Sequence, residues 1–251
     1  MKWHLATYAD ETFGSEGDSR REFIHTFYED LIHHRRNREW LESTEFYKQN
    51  TSILNHSKTG GLWAWKPFII LDAMNSADEG EFIIYCDRND IFSPGVFDFI
   101  TNTISEDEFC LLLVGSNINK HYTKRDTFIL MECDEEDYWN SNQLEAGFSV
   151  WKCCDESKNI LNQYLKYCLD YDIVSDEPSK HGEEFPEFKE HRFDQSVLTN
   201  IAIKEGLPVS NAELRNFVEC DYDYWYERGN AGYGREIDKF LSNMNILSNT
   251  N

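Results

Sequence analysis

Three polar clusters interrupt the apolar runs of this chain: Lys66 behind Trp63 and Trp65, Asp87-Arg-Asn-Asp90, and His191-Arg-Phe-Asp-Gln-Ser196. Asp87, Asn89 and Asp90 are closely spaced oxygen donors of the kind a hard divalent cation takes, and such a cation can hold a diphosphate. Taken bare, the same spacing also reads as a solvated acidic turn. The third cluster gathers a base, a cation, an acid and an amide into six residues, for which packing alone supplies no reason. Its plainer reading is an acidic cap on a helix start. If both clusters are chemical, His191, Arg192, Asp194 and Gln195 must meet the Asp87 loop across one cleft, although about a hundred residues lie between them.

The elements that would position these groups follow from the apolar pattern. Glu81-Phe-Ile-Ile-Tyr-Cys86 has the length and composition of a strand buried on both faces, which puts Asp87 at its carboxyl end. Ligands of open α/β sheets bind at that edge. Pro67 suits the first turn of a helix carrying Phe68, Ile69, Leu71, Ala73 and Met74, and Gly60-Gly61 permits close backbone approach. His4–Ala9 reads as the first strand, with Thr7 and Tyr8 near its carboxyl end. A helix is expected over Ser19–Arg38 with Phe23, Phe27 and Leu31 inward, followed by helical Trp40–Asn50. Ser93-Pro-Gly95 opens another helix. Phe109–Val114 is a buried strand closed by a Gly115-Ser-Asn turn.

Thr123 is a candidate N-cap, with Lys124 and Arg125 suited to an anion or a surface ion pair at that helix start. Gln143–Trp151 alternates as a strand, with Gln143 and Glu145 on one face and Gly147 open to close approach. Glu145 reads equally as a functional carboxylate or as an edge-strand surface carboxylate. A helix follows from Asp155 to Tyr171, then a polar loop over Asp172–Glu190 of a length common in lids.

The motifs G-x-W-x-W-K-P (Gly61–Pro67), I-Y-x-D (Ile84–Asp87), T-K-R-D (Thr123–Asp126) and H-R-x-D-Q-S (His191–Ser196) together resemble small GT-A glycosyltransferases. These are the enzymes of capsule, surface-glycan and large-virus sugar-coat systems, and the resemblance runs from about Trp3 to Gly206. It implies a Rossmann-like α/β fold with a mostly parallel central sheet flanked by helices. It also implies a nucleotide-sugar donor, a UDP-sugar foremost, a glycan acceptor and a divalent metal, Mn or Mg. Donor contacts would come from Thr7, Tyr8, Trp65, Lys66, Asp87, Arg88, Arg125, Gln143, His191, Arg192 and Gln195. Metal ligands would be Asp87, Asn89, Asp90 and His191, with Asp194 and Glu145 as catalytic carboxylates. Asn89 departs from the more usual second acid, so Lys66, Arg125 or Arg192 is a substitute for the metal at the phosphates.

Composition bounds the alternatives. The 251 residues carry a formal charge of −22, which argues against nucleic acid as a partner. An apolar fraction of 40% with 15% aromatics suffices for one α/β domain, here 1–210, with 211–251 as an arm packed on it. No run has the length of a membrane span, no signal-peptide pattern opens the chain, and seven cysteines without metal spacing suit a reducing, cytoplasmic setting. A non-catalytic carbohydrate-binding protein on the same fold is the rival reading. A sugar-phosphate nucleotidyltransferase is disfavoured, because no Gly-rich loop bearing Arg and Lys follows the first strand.

Overall fold

The computed structural model describes residues 2–9, 31–87, 91–93, 95–210, 214 and 217–219. The main sheet is built from β1 (Trp3–Tyr8), β2 (Leu31–Arg36), β3 (Phe82–Cys86), β5 (Cys110–Ile118), β6 (Asn142–Lys152) and β7 (Val209–Ser210), in the order β2-β1-β3-β6-β5-β7. Only β6 runs against the others, so the expected mostly parallel sheet is present. A separate antiparallel pair joins β4 (Ile91–Phe92) to β8 (Val218–Glu219). The longer helices are α1 (Lys66–Met74), α2 (Gly95–Thr103), α3 (Asp155–Cys168) and α4 (Phe193–Glu205). Among the described residues, no helix is long and apolar enough to cross a membrane.

The period of two along β3 divides the core. Ile83 and Tyr85 face the larger cluster, shared with α1, α3 and α4, whereas Phe82, Ile84 and Cys86 face the cluster under α2. Leu214 and Val218, beyond residue 210, join that second cluster. Phe217 packs against it, and apart from 214 and 217–219 the expected C-terminal arm lies outside the described residues. Six free cysteines, Cys86, Cys110, Cys133, Cys153, Cys154 and Cys168, are buried.

Three sequence expectations are corrected. Leu31–Arg36 is not the end of a helix but an edge strand, parallel to β1 from Trp3↔Leu31 to Tyr8↔Arg36. Sheet pairing overrides local helix propensity here. The remainder of the expected helix, with Phe23 and Phe27, lies outside the described residues. Gly115-Ser-Asn117 does not end its strand, since β5 continues to Ile118. Leu112 pairs with Ser149 but Val114 with Leu144, so two steps along β5 match five along β6. The surplus residues of β6 bulge around Glu145–Phe148, and bulges free backbone groups from the ladder and re-aim them.

The polar loop expected over Asp172–Glu190 begins after a short helix, Tyr171–Val174, and is fastened at several points. Buried Asp126 accepts the backbone N–H groups of Lys180 (2.8 and 3.0 Å) and His181 (2.8 Å). Glu184 accepts from Arg125 N at 2.8 Å and from Ser179 Oγ. The third correction is that Thr123 is not the cap of the short helix Arg125–Leu130; Lys124 occupies that place, and Thr123 Oγ1 donates to Asn119 Oδ1 at 2.6 Å. The T-K-R-D stretch thus holds the loop in place.

The first three strands are tied together at their start by titratable groups. His4 Nδ1 lies 2.9 Å from His34 Nε2, and His4 Nε2 lies 3.0 Å from Glu81 Oε2, with both histidines buried. Burial, then His4 and Arg36, hold His34 down to about 4, against a smaller upward pull from Asp72. A histidine whose folded pKa is depressed contributes stability above its unfolded value near 6.5, and that contribution is lost as pH falls towards 4. The melting temperature should therefore decline across this window, and His34→Gln should flatten the decline; an unchanged slope in the variant would assign it elsewhere. For the loop, Asp126→Ala should cost about 2 kcal/mol or more, since two N–H groups lose a charged acceptor. Limited proteolysis should then cut between residues 175 and 190 faster in the variant than in the native protein.

Candidate functional site

The register Ala6↔Tyr85 between β1 and β3 sets Tyr8 level with Asp87 at the carboxyl edge of the sheet. Tyr85 and Asp87, two residues apart, share the face turned to the larger core. Tyr85 OH donates to Asp87 Oδ1 at 2.6 Å, and Asp87 N donates to the Gly147 carbonyl at 2.7 Å. Lys66 Nζ lies 2.8 Å from Asp194 Oδ2, 3.1 Å from the Ala146 carbonyl and 3.4 Å from Asp87 Oδ1. Tyr164 OH donates to the same Asp194 oxygen at 3.0 Å. The bulge in β6 supplies both carbonyls, Ala146 to the lysine and Gly147 to the aspartate backbone.

Lys66 and Asp194 are each 3% exposed, whereas the Asp87 side chain is 34% exposed. Burial works against the charge of Lys66, but Asp194 and then Asp87 more than offset it, and the ammonium is held above the ordinary lysine range. Burial pushes the Asp194 carboxyl up, against the pull of Lys66 and Tyr164. The 2.8 Å separation is that of an ammonium–carboxylate pair, and we read it as one. The cluster therefore carries one committed pair inside and one carboxylate, Asp87, turned outward.

The local sequence explains how Lys66 gets there. Thr59, Gly60, Gly61, Leu62 and Trp63 all have positive φ, a left-handed turn that L-residues adopt at a cost of about 1–2 kcal/mol each. Gly61 is required by its own chain, not by a ligand: a Cβ there would lie 2.8 Å from Leu54 Cα. The turn delivers Lys66 as the first residue of α1, where the helix dipole disfavours a cation. The compensating charge is long-range, from Asp87 and Asp194. Phe193, the residue before Asp194, also has positive φ, and its ring lies 5.2 Å from that of Trp63.

Of the other residues expected at the site, several hold one another. Thr7 Oγ1 bonds His33 Nε2 at 2.8 Å, and Tyr8 stacks on Trp65 with ring centroids 4.0 Å apart; Thr7, Tyr8 and Trp65 are buried. Gln195 Nε2 donates to Gln143 Oε1 at 2.9 Å, and Gln143 Nε2 reaches Thr123 Oγ1 at 2.9 Å and Ser196 Oγ at 3.1 Å. Thr199 Oγ1 accepts from Leu144 N, and Asn119 Nδ2 donates to Asn200 Oδ1 at 2.8 Å. Packing does give a reason for amide and hydroxyl groups after Asp194: they seat α4 on β6 through a buried polar network.

Arg125 points away from the cluster, 2.7 Å from Asp134 and over the rings of Phe185 and Trp139. Arg192 pairs with Glu190 at 2.6 Å and lies over Tyr122. His191 accepts from Lys124 N at 3.3 Å, is lowered to about 3 by burial and then by Lys124, and makes no bond to Asp87 or Asp194. Glu145 is buried in the bulge beside Gly115. Arg88, Asn89 and Asp90 lie outside the described residues.

Among the described residues, no three of His, Cys, Asp and Glu gather as a metal site would require. Asp87 is the one described member of the expected acidic set, its Oδ1 already taken by Tyr85. The described residues thus do not make up a metal centre by themselves. The sequence analysis gives no role at the site to Tyr85, Tyr164 or the Ala146 carbonyl. Tyr85 stands in the I-Y-x-D motif two places before Asp87 on a strand, so its place beside Asp87 was detectable; Tyr164 carries no local signal of its role.

No protein-family model and no curated protein matches the chain. Among solved structures, it is similar to a galactosyltransferase, LgtC, solved with donor and acceptor sugar analogues (11% identity, TM-score 0.46, covering 92% of this chain and 81% of that one). It is also similar to mouse xyloside xylosyltransferase 1 in apo form (9% identity, TM-score 0.44, 84% and 85% covered). A third is a glycosyltransferase involved in glycosylation of the major capsid of PBCV-1 (12% identity, TM-score 0.38, 66% of each chain covered). These TM-scores lie below 0.5, so the reading of the site's chemistry rests on the site's own geometry.

Proposed function

We propose that this protein is a glycosyltransferase that moves a sugar from a nucleoside-diphosphate sugar to a hydroxyl acceptor. The observation that carries the reading is the outward carboxylate of Asp87, fixed at the carboxyl edge of the sheet by Tyr85, Gly147 and Lys66. In the reaction, the acceptor oxygen bonds to the anomeric carbon as the carbon–oxygen bond to the diphosphate breaks. The nucleoside diphosphate leaves with the bonding pair, and the hydroxyl proton passes to a base. A divalent cation, if used, would be held by Asp87 with Asn89 and Asp90 and would stabilise the departing diphosphate.

We set the nucleotide at the carboxyl edge of β1, which the packed Thr7, Tyr8 and Trp65 support from below, with Arg88 and Arg192 as cations for its phosphates. Lys66 has its donors committed to Asp194, Ala146 and Asp87, so its role is to fix Asp87 rather than to grip phosphate. Asp194 is likewise a buttress. Glu145 is then the remaining candidate base for an inverting transfer.

A thermal-shift panel of UDP-, GDP- and dTDP-sugars, with and without Mn²⁺ or Mg²⁺, should show stabilisation by at least one donor, because a ligand of the folded state stabilises by mass action. Donor-dependent release of nucleoside diphosphate should accompany it. Asp87→Ala should keep its fold, since the side chain is partly exposed, while turnover drops by about 100-fold or more. Binding of a sugar without turnover would favour the non-catalytic carbohydrate-binding reading, and near-native turnover by Asp87→Ala would remove Asp87 from the reaction.

A further inference from the structure

We infer that Tyr164 is a positioning residue of this site: acting through Asp194, it keeps Lys66 committed inward and so leaves the Asp87 carboxylate turned to the sheet edge. α3 buries Ile160, Leu161, Tyr164 and Cys168 in the larger core, where phenylalanine would fill all of the space but that of the hydroxyl. A hydroxyl buried there is unfavourable unless it is bonded, and its bond is to Asp194 Oδ2 at 3.0 Å. Lys66 Nζ reaches that same oxygen at 2.8 Å. Two donors from different helices on one oxygen fix the rotation of the carboxylate.

The charged and titratable groups around Asp194 are few and named. Lys66 faces it from the start of α1, Asp87 from the end of β3, and Tyr164 and Cys168 from α3; Tyr85 faces Tyr164 from β3. The lysine thus sits between two carboxylates, 2.8 Å from one and 3.4 Å from the other. The phenol hydroxyl is what makes them unequal. Without it, Asp194 turns, the ammonium shifts towards Asp87, and the outward carboxylate loses the lone pairs that would meet a ligand.

The kinetic arm of the test rests on the transfer reading; the spectroscopic arm does not. In the full chain, Tyr164→Phe should lower kcat/KM with UDP-galactose or UDP-glucose by about tenfold and lower the melting temperature by several degrees, the ordinary cost of losing one buried bond to a charged group. In an Asp194→Asn background, adding Tyr164→Phe should cause no further loss. Equal losses in both backgrounds, or none in either, would overturn the inference. Independently of any donor, the ¹⁵N-detected ammonium signal of Lys66 should be protected from exchange in the native protein, and Tyr164→Phe should shift it and speed its exchange. If no nucleotide sugar is turned over, the proposed function falls, yet an unchanged Lys66 signal in Tyr164→Phe is what would sink the positioning role.

Discussion

A lysine buried at the amino end of a helix is held by two carboxylates that reach it from distant parts of the chain, and the rest of the site depends on that contact. Lys66 enters from the left-handed turn, Asp87 from the end of β3, Asp194 from the first turn of α4, and the Ala146 carbonyl from the bulge in β6. Each charge is unfavourable where it stands when taken alone. A cation at a helix start opposes the dipole, and a buried carboxylate loses its hydration. Together they are mutually compensating, and removing one partner of such a pair costs about 3–5 kcal/mol, because the other is left buried and uncompensated. This dependence joins sheet, α1 and α4 into one geometry and leaves Asp87 as the group turned outward.

The surrounding backbone is arranged to make the contact rigid. Left-handed Trp63 and Phe193, whose rings meet, stand three residues before Lys66 and one before Asp194. Residues held in such conformations persist only where packing over-determines them, and they cluster at sites where orientation matters. The loop after Val174 is likewise tied by Asp126 and Glu184 instead of swinging free. A preorganised edge of this kind suits a reaction in which a donor and an acceptor must be held in line, since orientation supplies much of the rate enhancement.

Much of the fold was legible because it is written in short-range pattern. The buried run Phe82–Cys86, the Pro67 start of α1 and the helix opening at Asp155 all follow from local sequence. Leu31–Arg36 was not legible, since its strand state comes from pairing with β1 and nothing in its own composition overrides the helix reading. The bulge in β6 was hidden for a similar reason: Leu144–Val150 alternates cleanly, and the surplus residues appear only when β6 is laid against β5. At the site, the convergence of Asp87 and Asp194 could be argued from the concentration of polar residues. The division of labour could not. Gln143, Gln195 and Arg125 are types that bind phosphates and sugars, yet here they bond each other, Ser196 and Asp134, and only three-dimensional neighbours decide that.

The central claim, that Lys66 and Asp194 stabilise the site as a pair, is tested most directly by a double-mutant cycle read in urea unfolding. Lys66→Met alone should lose several kcal/mol, because it leaves Asp194 buried and unpaired. Adding Asp194→Asn to Lys66→Met should recover part of that loss, making the double variant more stable than the sum of the two single losses allows. A double variant whose loss equals that sum would mean that the two side chains do not depend on each other, and the account built on their contact would be wrong.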